Sequence, residues 1–198
     1  MAVTVTHQVE AVRYFSRWAG AVAVLPPVAV DSVVLAVAAA ALAVAAPDRA
    51  GSEMRTKEFL SRLEHERIVS AIRGAESKTS AEIRVYIQRG KLKADPLISA
   101  QKKFRRLRMD KTSERNAVLI FIAPRAHKFA VVGDKAIHEK CGEEFWQQVV
   151  DGMREHFQKE KFSRAIVEGI AEVGKLLSTH FPRTAIPSNE LPDEIVEG

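Results

Sequence analysis

One cysteine, Cys141, stands in 198 residues, so no disulfide can close within the chain. A lone thiol fits a reducing compartment and fits exported bacterial proteins as well, so it does not fix location. Lysine is absent from the first 53 residues, where Ala and Val fill 27 positions. No apolar run reaches the length of an ordinary membrane helix. Residues 33–46 read VVLAVAAAALAVAA, fourteen residues between Asp31 and Asp48, against the roughly 18–20 that a bilayer needs. P-loop, G-x-G-x-x-G and G-x-S-x-G patterns are missing, which removes the signatures of the common nucleotide-binding folds and serine hydrolases.

What is there suits one ordinary domain with extensions. The chain is 46% hydrophobic and 28% charged, a globular profile. Residues 1–53 carry Arg13, Arg17 and Arg49 against Glu10, Asp31, Asp48 and Glu53, a net of −1. Residues 182–198 carry Arg183 against Glu190, Asp193, Glu194 and Glu197, a net of −3. The body between them therefore holds +9 of a total of +5. Such a body favours anionic partners: phosphates, lipid head groups or nucleic acid.

Three readings of residues 1–53 stay open. Arg13 and Arg17 precede an apolar stretch, and Ala43-Val44-Ala45 matches an A-x-A cleavage site, the pattern of a signal or anchor. An unstructured extension, or upstream codons read from an early start, fits the abrupt onset of ordinary domain sequence at Met54. A folded part of the domain is the third. Location follows from the choice: cytoplasmic for a chain starting near Met54, exported or membrane-anchored for a signal. The expected division is an Ala/Val-rich segment at 1–53, an α/β domain at 54–182 and a flexible acidic tail at 183–198.

Ser61-Arg62-Leu63-Glu64 reads as a capping box, and Ile68, Val69, Ile72 and Ala75 continue a helix to about Lys78. Residues 82–87 alternate polar and apolar, which predicts a strand with one buried face. Leu97, Ala100, Phe104 and Leu107 mark a helix ending near Met109. Residues 117–122 are apolar without alternation, which suits a central strand. Residues 129–132 form its hairpin partner, stopped by Gly133-Asp134. One amphipathic helix follows through Phe157, and Ser163 caps a second whose stripe ends at Phe181. Gly169 and Gly174 inside that helix cost propensity, which close packing must offset. Pro182, Pro187 and Pro192 make the tail mobile.

This order predicts a parallel strand–helix–strand unit followed by an antiparallel third strand. The starts of the first two strands and the end of the third then share one sheet edge. Glu82, Arg115, Asn116, Asp134 and Lys135 converge there, where function commonly sits.

Lys78-Thr79-Ser80-Ala81-Glu82-Ile83-Arg84-Val85, Lys111-Thr112-Ser113-Glu114-Arg115-Asn116-Ala117-Val118, Phe129-Ala130-Val131-Val132-Gly133-Asp134 and Asn189-Glu190-Leu191-Pro192-Asp193-Glu194 stand in this order. Over residues 57–196 they resemble the bacterial TPM-domain family. The resemblance implies a three-layer α/β/α sandwich around a small mixed sheet. It implies either an accessory or assembly role beside a membrane or protein complex, or a phosphatase-like hydrolase acting on phosphomonoesters, since one lumenal plant member is described as an acid phosphatase. It also implies calcium, which some members bind. Relatives commonly have Gly where this chain has Ala81, Ala117 and Ala136, so a backbone-lined cradle is weaker here.

Glu82, Asn116 and Asp134 are the candidate oxygen ligands for calcium or magnesium, with Asp134 and Arg115 as the catalytic candidates on the hydrolase reading. The plainer alternative makes Asp134 a helix cap and Glu82 a solvated strand residue. Lys102, Lys103, Arg105, Arg106, Arg108 and Lys111 form the densest basic run, with the first four as the candidate partner-binding residues. It is a solvated helix face or a docking surface for an anionic partner. Without aromatic interleaving it does not read as a nucleic-acid surface. His138 and Cys141 lie three apart, yet no second pair completes a zinc site.

Overall fold

The computed structural model describes residues 36–41, 56–183, 191–192 and 194–198, all within the compact unit Ser32–Gly198. Its sheet grows outward from one apolar strand. β1 (Ala36–Ala41) and β2 (Ile83–Ile87) precede it in the chain, and β3 (Val118–Ala123) is the centre. All six β3 residues are buried, as the unbroken VLIFIA run requires of a strand covered on both faces. β2 pairs with it in parallel, Val85 opposite Ile120. β4 (Lys128–Gly133) pairs antiparallel on the other side, Ile120 opposite Val131. β1 lies antiparallel to β4, and β5 (Ile195–Glu197) parallel to β2, giving the order β1-β4-β3-β2-β5.

Period two along these strands divides the core. On one face Val85, Ile120 and Val131 lie under α2 (His65–Glu76), α4 (Lys135–Gln158, kinked at Gly142) and α5 (Phe162–His180). On the other, Tyr86, Leu119, Phe121 and Val132 meet Phe104 and Ala100 of α3 (Pro96–Arg106), with Met109. The fold is α/β, with helices on both sides of a mixed sheet. Each fully buried large side chain, such as Trp146, Phe104 or Phe157, stabilises it by about 1.5–3 kcal/mol. A short helix, α1 (Thr56–Ser61), buries Phe59 against Phe162. No helix among the described residues is long and apolar enough to cross a membrane.

The glycines of α5 show why that helix tolerates them. A Cβ on Gly174 would lie 2.6 Å from the Ala75 Cβ, and one on Gly169 would lie 2.6 Å from the Met153 sulfur. Small residues bring α2 and α4 close to α5, and the packing offsets the loss of propensity.

Several expectations change. Ser61 ends α1 and donates to the Glu58 carbonyl, so it caps nothing. Glu64 precedes α2 as its cap, and its N–H donates to Ser163 Oγ at 2.9 Å. Ser163 thus serves the start of α2, while Lys161 precedes α5. A contact 99 residues away has overridden both local capping signals. β2 is buried on both faces, Glu82 and Arg84 included, because a fifth strand and the chain leading to it cover its outer side. That strand is the correction to the flexible tail at 183–198: Ile195–Glu197 belongs to the sheet. The segment 1–53, set apart from the core on its composition, supplies β1. An apolar run without period cannot be assigned as strand or helix from pattern alone.

Candidate functional site

The sheet edge formed by the starts of β2 and β3 and the end of β4 is tied together by backbone. Val118 N–H donates to the Glu82 carbonyl at 2.8 Å, and Asp134 N–H to the Ala117 carbonyl at 2.9 Å. Three segments distant in sequence therefore meet, as the strand order requires.

Asp134 is the hub. It caps α4, its Oδ1 accepting the Lys135 N–H at 2.7 Å. Arg115 grips the same carboxylate, Nε to Oδ2 at 2.9 Å and Nη2 to Oδ1 at 3.4 Å. The Asp134 side chain is fully buried and that of Arg115 is 42% exposed, so a fixed guanidinium is presented to solvent beside the start of α4. The hydrogen bond to Asp134 raises the Arg115 pKa above its ordinary value, and burial opposes it. Arg115 is therefore charged at every working pH.

Asn116 is buried, and its amide donates to Ser80 Oγ and to Glu114 Oε2, both at 3.2 Å. Ser80 Oγ also donates to Glu114 at 2.6 Å. Ser80 and Glu114 were not singled out from sequence. Their position beside Glu82 and Arg115, at the starts of two strands sharing an edge, was the available signal. Lys135 points its ammonium toward Glu139, 3.6 Å away on the next turn. Glu82 turns elsewhere: its Oε2 accepts the Leu191 N–H at 3.2 Å.

This donor set is a poor cation cage. Arg115 holds the Asp134 carboxylate, and Leu191 takes an oxygen of Glu82. Among the described residues no group of three or more His, Cys, Asp or Glu is placed to hold a metal ion. The alanines are not strained: Ala81, Ala117 and Ala136 do not have positive φ, whereas Arg115 does, at 53°. The left-handed residue at this edge is the arginine itself.

The basic helix is a separate surface. Lys102, Arg105 and Arg106 are exposed and make no ion pair among the described residues. Lys103 differs, its ammonium lying 4.4 Å from the Tyr86 ring centroid and bonded to the Tyr86 hydroxyl. Elsewhere some exposed cations are paired, as in Arg62–Glu160, Arg67–Glu64 and Lys159–Glu155, while others, such as Lys57, Lys91, Lys93 and Lys175, make no ion pair among the described residues. Cys141 is half-buried against the larger core, and burial pushes its thiol up to about 11. His138, three residues before it, has a buried Nδ1 without a hydrogen-bond partner among the described residues.

The family model described as the TPM domain, labelled TPM phosphatase, matches residues 54–176. The NMR structure of the BA42 protein from the psychrophilic bacterium Bizionia argentinensis is similar to this chain at 35% identity and a TM-score of 0.65. That match covers 68% of this chain and 92% of the other. No curated protein sequence matches the chain at a significant level.

Proposed function

Because the chain belongs to the TPM-domain family, we propose that it acts as an accessory domain, docking through α3 on the anionic face of a membrane or protein complex. The cations of α3, without an ion pair among the described residues, carry this reading. Between Pro96 and Met109 the sequence holds no acidic residue, so nothing on the helix neutralises Lys102, Arg105 and Arg106. Phe104 and Ala100 anchor the helix to the sheet on its opposite face, so the charged face is rigidly presented. Each cation near an anionic surface contributes about 1 kcal/mol.

A second reading rests on the Arg115–Asp134 pair and on the phosphatase label of the matching family. Here the half-exposed Arg115 binds a phosphate oxygen, and the start of α4 beside it favours the same charge. A divalent ion at Asp134 competes with Arg115 for one carboxylate, so cation binding is weak. The serine at this edge, Ser80, is hydrogen-bonded to Glu114 and Asn116 and has no contact with the pair among the described residues, which places this reading second.

One experiment separates them. Retention of the full chain on phosphatidylglycerol vesicles is compared with neutral vesicles, for wild type and Lys102→Glu/Arg105→Glu/Arg106→Glu. The accessory reading expects salt-sensitive retention lost about a hundredfold in the variant. Retention that ignores the reversal counts against it. Phosphate release from p-nitrophenyl phosphate, abolished by Asp134→Asn, would replace it with the hydrolase.

A further inference from the structure

The outer edge of β2 holds residues 191–198 in the way a protein holds a bound peptide. At the near end, the Glu82 carboxylate accepts the Leu191 N–H at 3.2 Å. The Arg84 guanidinium donates to the Pro192 carbonyl from both Nε and Nη2 at 3.3 Å. Ile195, Val196 and Glu197 then run parallel to Val85, Tyr86 and Ile87. At the far end Gly198 N–H donates to the Ile87 carbonyl at 3.2 Å, and Arg89 N–H to the Gly198 carbonyl at 2.8 Å.

Side-chain selection is added at two positions. Arg89 Nε donates to the Glu197 carboxylate at 2.8 Å, and His65 Nε2 lies 3.9 Å from its other oxygen. A Cβ at position 198 would come within 2.6 Å of the Tyr86 hydroxyl, so that place admits glycine. Tyr86 cannot easily yield, since its ring stacks on Phe121 and its hydroxyl is held by Lys103.

The segment so held is a weak part of the core. All three β5 residues are only half-buried, whereas all of β2 beneath it is buried. Main-chain hydrogen bonds, the Glu197 carboxylate and partial packing of Leu191, Ile195 and Val196 on the two cores attach it, the chemistry of strand addition to a sheet edge. Glu82 and Arg84, both nearly inaccessible, direct their charges at an N–H and a carbonyl, groups that every peptide offers.

We propose that the β2 edge is a binding site for an extended segment of a partner protein, and that residues 191–198 are its resident, displaceable occupant. The ligand it takes has a Leu-Pro pair and, after two intervening residues, two aliphatic residues, an acidic residue and a glycine. Glu82 and Arg84 fix its register through the main chain, Arg89 and His65 read the carboxylate, and Tyr86 reads the glycine. This surface is distinct from α3 and does not depend on the docking reading.

The test uses the full chain and a fluorescent peptide, NELPDEIVEG, capped at both ends. In wild type the tethered segment competes at an effective concentration of about millimolar, so the peptide binds weakly. Ile195→Asp disfavours the resident strand, and peptide affinity rises about tenfold or more. Arg89→Ala added to that variant removes the gain, and a peptide ending in Val in place of Gly binds about tenfold more weakly. Absence of peptide binding to a cooperatively folded Ile195→Asp chain overturns the proposal. Hydrogen exchange on wild type decides independently of that variant's folding. The Arg89 and Gly198 amides are expected to exchange far faster than that of Ile120, through local release of the segment. Exchange of all three at one common rate, through global unfolding alone, would show the segment to be a fixed strand.

Discussion

Arg115 and Asp134 form a two-pronged pair across the sheet edge, with the carboxylate fully buried and the guanidinium 42% exposed. Arg115 does so from a left-handed backbone, φ 53°, which costs an L-residue about 1 kcal/mol. Arg115→Ala leaves a buried carboxylate without its cation. The expected loss is about 2–3 kcal/mol, below the figure for fully buried pairs because half of the guanidinium is in water. Arg115→Gly relieves the backbone and is expected to be about 1 kcal/mol less damaging than Arg115→Ala. Urea denaturation measures both, and equal midpoints for the two variants would remove strain from the account. The raised Arg115 pKa sets the sign of any pH effect. A group raised on folding loses its contribution only as pH climbs past the unfolded value, so this pair does not weaken in the neutral to mildly alkaline range.

Calcium or magnesium at this edge must displace Arg115 from Asp134. Titration calorimetry is expected to show weak binding to wild type, and tighter binding to Arg115→Gln, which frees the carboxylate. Asp134→Ala should bind neither ion. An Asp134→Ala chain that binds as wild type does would place any cation elsewhere.

Gly174 faces Ala75 where α5 crosses α2. Gly174→Val would drive a side chain into the Ala75 Cβ at 2.6 Å, with the Ala75 Cα only 3.3 Å away. Overpacking of this kind costs about 1–3 kcal/mol. Ala75→Gly in the same chain should recover part of the loss, since it removes the nearest atom. A double variant no more stable than Gly174→Val would show that backbone contact, not the Ala75 methyl, sets the limit.

Much of this architecture was legible in the sequence. The short apolar run at 117–122, bounded by polar and turn residues, suited a doubly covered strand, and the strand–helix–strand order fixed which ends share an edge. That is why Arg115, Asn116 and Asp134 could be brought together before any coordinates. The Asp134–Arg115 pairing was not legible, because a carboxylate that caps, pairs or binds a metal looks the same in sequence. The contact that Glu82 makes with the Leu191 N–H was not legible either, because Leu191 is 109 residues away. Ser61 and Ser163 failed similarly, local caps outweighed by a tertiary hydrogen bond. Three prolines in the tail outweighed the Ile195-Val196 pair, the one sign that the chain returns to the sheet.

Cys141 tests burial by chemistry. With its thiol pushed up to about 11 by burial, the reactive thiolate is scarce at neutral pH. Alkylation by iodoacetamide is expected to be slow in the folded chain and to accelerate sharply in urea. The linked stability term is present below the ordinary thiol value and is lost as pH rises through about 11. Alkylation of the native chain at the rate of an unfolded one would show that Cys141 is not shielded.

The last prediction concerns the edge of the sheet where β1 lies. Among the residues whose burial is described, both clusters are formed after position 54, including Phe59, Trp146 and Phe157 on one side and Phe104 and Phe121 on the other. Removing residues 1–53 strips β1 from β4 and from its places beside α3 and α4, and leaves the described members of both clusters in the chain. A chain of residues 54–198 is expected to keep one cooperative thermal transition. It should also expose the β4 edge, whose unpaired N–H and C=O groups template pairing with another chain, so self-association should rise with concentration. Light scattering and calorimetry on the two lengths read these effects separately. Loss of the cooperative transition would mean that β1 is required for the core to form. A monomeric, fully stable truncated chain would mean that β4 does not need its partner.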